Sequence, residues 1–335
     1  MMKIIVIGLG SMGRRRIRLL KQMRSELSLI GVDSNKERVQ SVSQEFGMVC
    51  YSDLEQAIRS EKEAGEPVSC AMVCSSPLSH AGLIGKCLTY GLNVFTEINL
   101  VADEYQENMA LAEEKGCKLF LSSTPVYRAE MKKIREVLAD KTGNDSRPVN
   151  YIYHVGQYLP DWHPWEQYNG FFVGDKRTNG CREILAIELP WMIKAFGQIK
   201  ELRSFKDKIT DLQIDYPDNY FIYITHANGA KGIFAVDVVC REAVRHMEIY
   251  NENIYMEWDG TPDSLRKKNL ATKEFEKILE KEAYERREGY SAFVNEYAYI
   301  NELEAFFQYL EEGKEPEYGF AEDLELLHWI DEIEK

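Results

Sequence analysis

No run of eighteen uncharged apolar residues interrupts the 335-residue chain, which excludes a hydrophobic membrane-spanning helix. Paired cysteines are missing as well. The seven cysteines are an odd number with no CxxC pair among them, so neither a disulfide framework nor a zinc ribbon is expected. Reduced thiols in a reducing compartment are, with Cys70, Cys74 and Cys87 as small core residues. The opening MMKIIVIGLG reaches glycine too soon for a signal peptide, and a cytoplasmic location is the expectation. Basic residues are outnumbered, 41 Lys+Arg against 55 Asp+Glu, for a net charge of −14. Residues 289–335 alone carry 2 basic and 13 acidic residues, a field that repels phosphate backbones and anionic lipid. Nucleic acid and membrane are therefore not expected partners, and the acidic stretch reads as solvated helix surface.

What is present divides in two. Over residues 3–122, short apolar runs alternate with amphipathic stretches, the pattern of a parallel sheet with crossover helices. Strands are expected at 3–7, 28–32, 49–51, 68–73, 93–96 and 118–122, with helices at 11–23, 36–46, 53–60, 78–90 and 102–115. After Pro125 the pattern changes. A helix (129–138), a strand (150–155), an aromatic irregular segment and a helix (182–196) lead to closely spaced strands at 202–205, 211–216, 220–226, 231–239, 245–250 and 254–258. Helices at about 273–284, 292–311 and 321–333 close the chain. The fold class is an α/β Rossmann domain, a doubly wound parallel sheet at 1–124, followed by an α+β domain with an open antiparallel sheet at 125–335.

The sharpest motif is Gly8-Leu9-Gly10-Ser11-Met12-Gly13, directly after a strand and before a helix. Gly8 permits the tight turn, Gly10 lets backbone approach a pyrophosphate, Gly13 lets helix and strand pack, and free N–H groups of Ser11 and Met12 face the anion. A second strand ends in Asp33, twenty residues beyond Gly13, where a carboxylate grips ribose hydroxyls. NAD is the expected cofactor. NADP stays open, because Lys36, Arg38 and the Arg14–Arg16 run lie near enough to offset repulsion of a 2′-phosphate.

That loop, with Ser75-Ser76-Pro77-Leu78-Ser79-His80 and Gly91-Leu92-Asn93-Val94-Phe95-Thr96-Glu97, resembles the glucose–fructose oxidoreductase / inositol dehydrogenase / MocA (Gfo/Idh/MocA) family. The resemblance implies an NAD(P)-dependent oxidoreductase acting on a sugar or sugar derivative. It also implies that Ser75, Ser76, Pro77, His80 and Glu97 are at the cofactor, with Glu97 at the reacting centre, and that a homodimer or homotetramer forms through the second-domain sheet. Departures accompany the matches. The family's Glu-Lys-Pro is here Glu97-Ile98-Asn99, and its Asp-x-x-x-His helix start aligns with Ile184 and Glu188. A catalytically silent NAD-binding sensor, or a redox-neutral epimerase or eliminase using bound NAD, is therefore the alternative reading.

Proton transfer has two further candidates. Glu188 qualifies if apolar neighbours such as Trp191 raise its pKa. His163 qualifies within the segment Tyr158–Tyr168, where Trp162 and Trp165 suit sugar stacking and Glu166 suits hydroxyl binding. Tyr127, Arg128, Arg182 and Glu183 are candidate substrate contacts or satisfied structural groups. No metal site is expected, since the spacing of Asp161, His163 and Glu166 is not diagnostic.

Overall fold

The computed structural model describes residues 2–139, 147–162, 167–279, 293 and 295–335. Contacts divide the chain into two units: Met1–Ser123 with Glu302–Leu324, and Thr124–Asn301 with Glu325–Lys335. Residues 302–324 thus pack with the N-terminal unit. The apolar side of that segment lies on the first core, with Phe306 against Phe95 and Phe120 at 5.4 and 5.5 Å.

In the first unit, β1 (Lys3–Ile7), α1 (Ser11–Met23), β2 (Ser28–Val32), α2 (Lys36–Phe46), β3 (Cys50–Tyr51), α3 (Leu54–Glu63), β4 (Cys70–Val73), α4 (His80–Thr89), β5 (Asn93–Thr96), α5 (Tyr105–Lys115) and β6 (Leu119–Leu121) alternate as expected. The six strands pair in the order β3-β2-β1-β4-β5-β6, all parallel. Every residue of β1 and β4 is buried, as strands covered on both faces require. Asp53 caps α3 by accepting from the Gln56 N–H, which stops the helix from fraying at that end. Strand order reverses between β1 and β4, so the crevice beyond their carboxyl ends is the place for a ligand.

In the second unit, α6 (Ala129–Ala139), β7 (Asn150–Gly156), α7 (Gly180–Phe196), β8 (Ile199–Asp207), β9 (Asn219–His226), β10 (Lys231–Asp237), β11 (Val244–Tyr250), β12 (Tyr255–Trp258), β13 (Arg266–Lys268) and β14 (Phe275–Lys277) follow. The sheet order is β14-β13-β12-β11-β7-β10-β9-β8. It is mixed, because β7 and β10 pair in parallel and the remaining pairs are antiparallel. One face is core: Tyr153 stacks on Phe234 at 5.2 Å and Tyr151 on Phe196 of α7 at 4.3 Å.

Two expectations fail here. Residues 211–216 form bends, because the Asp218 carboxylate draws the N–H groups of Ile209 and Thr210 into a local turn. A helix at 273–284 is contradicted by β14, which pairs with β13, while residues 280–292 lie outside the described ones. The helices α8 (Glu296–Glu312) and α9 (Phe320–Glu334) end the chain. Among the described residues no helix is long and apolar enough to cross a membrane.

Candidate functional site

In the first unit the glycine loop joins β1 to α1. Gly8 has φ +94°, and a Cβ there would lie 2.6 Å from the Ser75 amide nitrogen, so only glycine lets the loops after β1 and β4 come this close. A Cβ on Gly13 would sit 1.9 Å from the Gly8 carbonyl oxygen. Gly10 differs: the nearest atom to its would-be Cβ is Arg38 Nη1, at 3.9 Å. The helix behind it has Gly10 as N-cap with no side-chain cap and no acidic residue in its first turn, so its leading N–H groups and positive dipole end are left for an anion. The residues present therefore fit a dinucleotide pyrophosphate. Ser11 is exposed and Met12 half-buried on that first turn.

Asp33, 8% exposed, accepts from the Leu9 N–H at 2.8 Å and the Asn35 N–H at 2.8 Å, which holds its carboxylate beside the loop. Arg38 Nη1 stands 3.7 Å from Asp33 Oδ2. After β4, Pro77 opens a short 3-10 turn to Ser79, Ser75 and Ser79 share a hydrogen bond at 2.7 Å, and Ser79 donates to the Ser76 carbonyl. His80 is 2% exposed, with Nε2 3.0 Å from the Ser75 carbonyl oxygen. Desolvation lowers its pKa.

Glu97 is gripped by Arg16, one of the arginines that the sequence offered as a neighbour of a 2′-phosphate. Arg16 is fully buried, bonds both Glu97 oxygens at 2.6 and 3.2 Å, and also reaches Glu302 at 2.6 Å. A carboxylate forked onto a buried guanidinium is held in one orientation. The Glu97 carboxylate is thus held fixed by Arg16.

In the second unit the candidates separate by what touches them. Glu188 lies 1% exposed, accepts from Tyr153 Oη and Trp191 Nε1 at 2.7 Å each, and has Arg245 Nη2 2.6 Å from Oε1. The expectation of an apolar environment is corrected: β11 brings a cation to it, so Glu188 is a paired carboxylate. Arg128 is spent on Glu130 and on the Gly260 and Phe293 carbonyls, with its guanidinium over Trp258. Arg182 is spent on Asp331 and Glu334 of α9. Tyr127 is buried beside Arg128. Trp162 donates its indole N–H to the Gln157 carbonyl and packs against Gly180. His163, Trp165 and Glu166 lie outside the described residues.

Glu183 behaves otherwise. It stands in the first turn of α7, its Oε2 is buried with no hydrogen-bond partner, and desolvation pushes its pKa to about 7. A half-buried carboxylate with one desolvated, unpartnered oxygen is the arrangement that tunes an acid for proton exchange near neutrality. The residue was legible as a polar group at the helix start; that Oε2 has no hydrogen-bond partner among the described residues was not. Among the described residues no group of three His, Cys, Asp or Glu side chains is placed to hold a metal.

Residues 2–123 match the family described as oxidoreductase family, NAD-binding Rossmann fold (GFO_IDH_MocA). No curated protein matches the chain. Several solved structures share the fold across both units. An oxidoreductase from Thermotoga maritima aligns with TM-score 0.79 at 15% identity, covering 100% of this chain and 96% of its own. The WlbA dehydrogenase from Bordetella pertussis, in complex with NADH and UDP-GlcNAcA, aligns with TM-score 0.76 at 13% identity, covering 99% and 95%. The UDP-N-acetylglucosamine 3-dehydrogenase GnnA from Acidithiobacillus ferrooxidans aligns with TM-score 0.74 at 15% identity, covering 99% and 96%.

Proposed function

The N-terminal domain is that of the Gfo/Idh/MocA oxidoreductases, and from that premise we propose that the protein oxidises or reduces a sugar derivative with NAD, using Glu183 as its proton-transfer group. One observation carries the reading: Glu183 keeps a buried, partnerless Oε2 and a pKa of about 7 on a chain that also holds an open glycine cradle. When bound, the nicotinamide supplies the hydride acceptor or donor. The N–H groups of Ser11, Met12 and Gly13 would hold the pyrophosphate, and Asp33 the ribose hydroxyls. Oxidising a carbinol releases a proton from its hydroxyl. Glu183 accepts that proton when ionised and returns it in the reverse reaction. Arg38, close to Asp33, is the group that would tolerate a 2′-phosphate, so NADP is the second choice.

The substrate class is proposed from likeness. Structural relatives include a dehydrogenase bound to UDP-GlcNAcA and a UDP-N-acetylglucosamine dehydrogenase, which favours a nucleotide sugar. The segment Trp162–Glu166 is proposed to line that substrate, with Trp162 offering its ring face because its N–H is taken. The test is NAD reduction, and isotope exchange between labelled cofactor and sugar, across a sugar-nucleotide panel. Turnover with at least one member is expected. Binding of both partners with neither reduction nor exchange would leave an NAD-binding sensor instead.

The outer face of the second-unit sheet exposes Ile152, Phe205, Phe221, Tyr223 and Ile233, which the strand register brings together: Ile152 beside Ile233, Ile233 beside Tyr223, and Phe221 beside Phe205. A contiguous apolar face of this kind favours a homodimer or homotetramer through the sheet. Sedimentation should show one of these, and Phe221→Glu should shift the protein toward monomer; a monomeric wild type at micromolar concentration would refute the assembly.

A further inference from the structure

A buried chain of hydrogen bonds in the first unit ends at the cofactor loop. It begins at α9, where Tyr318, just before the helix, donates to Asp323 Oδ1 at 2.8 Å. Tyr105 donates to Asp323 Oδ2. Asn99 Nδ2 donates to Tyr105 Oη at 2.9 Å, and Asn99 Oδ1 faces His80 Nδ1 at 2.8 Å. His80 Nε2 faces the Ser75 carbonyl oxygen at 3.0 Å. Asp323, Tyr105, Asn99 and His80 are each at most 3% exposed. Asn99 is the residue standing where the resembled family has proline, so this link is a property of this chain.

Counting donors and acceptors shows what the chain holds. With Asp323 ionised and the amide as described, both His80 nitrogens face acceptors, so all the links are made only if the imidazole is protonated. Rotating the Asn99 amide by half a turn reverses the polarity. Asp323 then carries the proton and donates to Tyr105, Tyr105 donates to Asn99 Oδ1, Asn99 Nδ2 donates to His80 Nδ1, and neutral His80 still donates Nε2–H to Ser75. Either way the full chain needs one proton shared by His80 and Asp323. Remove it, and one link must break.

We propose that Asp323, Tyr105 and Asn99 are positioning residues that hold the dinucleotide-binding loop Ser75–Ser79 through His80, and that one shared proton keeps this hold complete. The proposal rests on the reading of that loop as a cofactor contact. Burial favours the neutral form of the pair: it lowers the pKa of His80 and raises that of Asp323 to about 6. Around His80 stand Thr96 at 3.4 Å and the Glu97 carboxylate, itself paired with Arg16, which also holds Glu302. Around Asp323 stand Tyr105 and Tyr318, with Glu322 near Tyr318. As pH rises the proton leaves, His80 and Asp323 are left neutral and ionised, and the broken link falls beside Asn99 or Ser75.

Calorimetric NAD titration of the whole protein tests this. From about pH 5.5 to about pH 8.5, wild-type affinity should weaken about three- to tenfold in a one-proton step, the fold-change of one hydrogen bond. Asp323→Asn supplies a permanent neutral donor to Tyr105, so its affinity should stay at the tight end throughout. Tyr105→Phe frees the Asn99 amide to serve neutral His80, and should be equally flat. A flat wild-type profile, or an unchanged slope in both variants, overturns the proposal. Nitrogen NMR of labelled histidine reads the same chain without cofactor: in both variants His80 should remain the neutral Nε2–H form across the range, whereas in the wild type it should respond to the shared proton. If NAD fails to bind at all, the cofactor reading falls, and the histidine spectra alone decide the proposal: an unaltered His80 titration in both variants rejects it.

Discussion

Glu183→Gln should depress turnover by about 10²–10⁴, the range for losing a general acid or base, while NAD affinity is retained. The wild-type oxidation rate should rise as pH climbs through about 7, where Glu183 ionises, and the reduction rate should fall through the same point. The variant should lose both limbs. Stability moves the other way. Because the folded-state pKa of Glu183 lies above the ordinary value of 4.5, its stabilising contribution is fully present below the unfolded pKa and is lost as pH rises through about 7. Above that pH the glutamine variant should therefore unfold at a higher denaturant concentration than the wild type. Glu188→Gln separates the two carboxylates: it leaves Arg245 buried opposite a neutral amide, so its main cost is stability, without removing the pH limb near 7. A wild-type pH limb that survives Glu183→Gln would transfer the proton role elsewhere, with His163 next to be tested.

Gly10→Val should weaken NAD binding at least about 100-fold, a loss near 2.7 kcal/mol, with the melting temperature close to wild type. The two halves follow from one geometry. Gly10 has φ −74°, ψ −160°, a conformation open to any residue, and its would-be Cβ has only the Arg38 guanidinium nearby, at 3.9 Å. Valine thus fits the protein and fills the space the pyrophosphate needs. Gly13→Ala is the contrasting case. Its methyl would collide with the Gly8 carbonyl at 1.9 Å, so folding itself should suffer. Unchanged NAD affinity in a folded Gly10→Val protein would remove the glycine loop from the binding site.

How far each feature was legible follows from the range of the forces behind it. Local sterics and short periodicity are written in neighbouring residues. The bounds expected for β1, α1, β2, α2 and β5 are those observed, and the glycine turn with Asp33 beside it follows from backbone exclusion at a few positions. The second-unit strands at 220–226, 245–250 and 254–258 were legible to within a residue or so, since alternation of buried and exposed residues is also local. The outermost strands β13 and β14 at one end of the sheet were not: they are short, largely charged and largely exposed, and only pairing with a neighbour makes them strands.

The roles of the charged residues belong to tertiary structure. By itself the sequence determined that a carboxylate sits at 183 and another at 188; it could not say which one meets a cation. Arg245 reaches Glu188 because the register of β11 on β7 sets Arg245 beside Val155, while Glu183 Oε2 has no hydrogen-bond partner among the described residues. Arg16 read in the sequence as one of a run of arginines near the cofactor loop and is buried between Glu97 and Glu302, whose carboxylate comes from 286 residues further along the chain. The His80 chain likewise closes only when Asp323 folds back beside Tyr105. A carboxylate's chemistry depends on burial and on the charge within a few ångströms, and both are supplied by chain segments too distant in sequence to leave a mark on it.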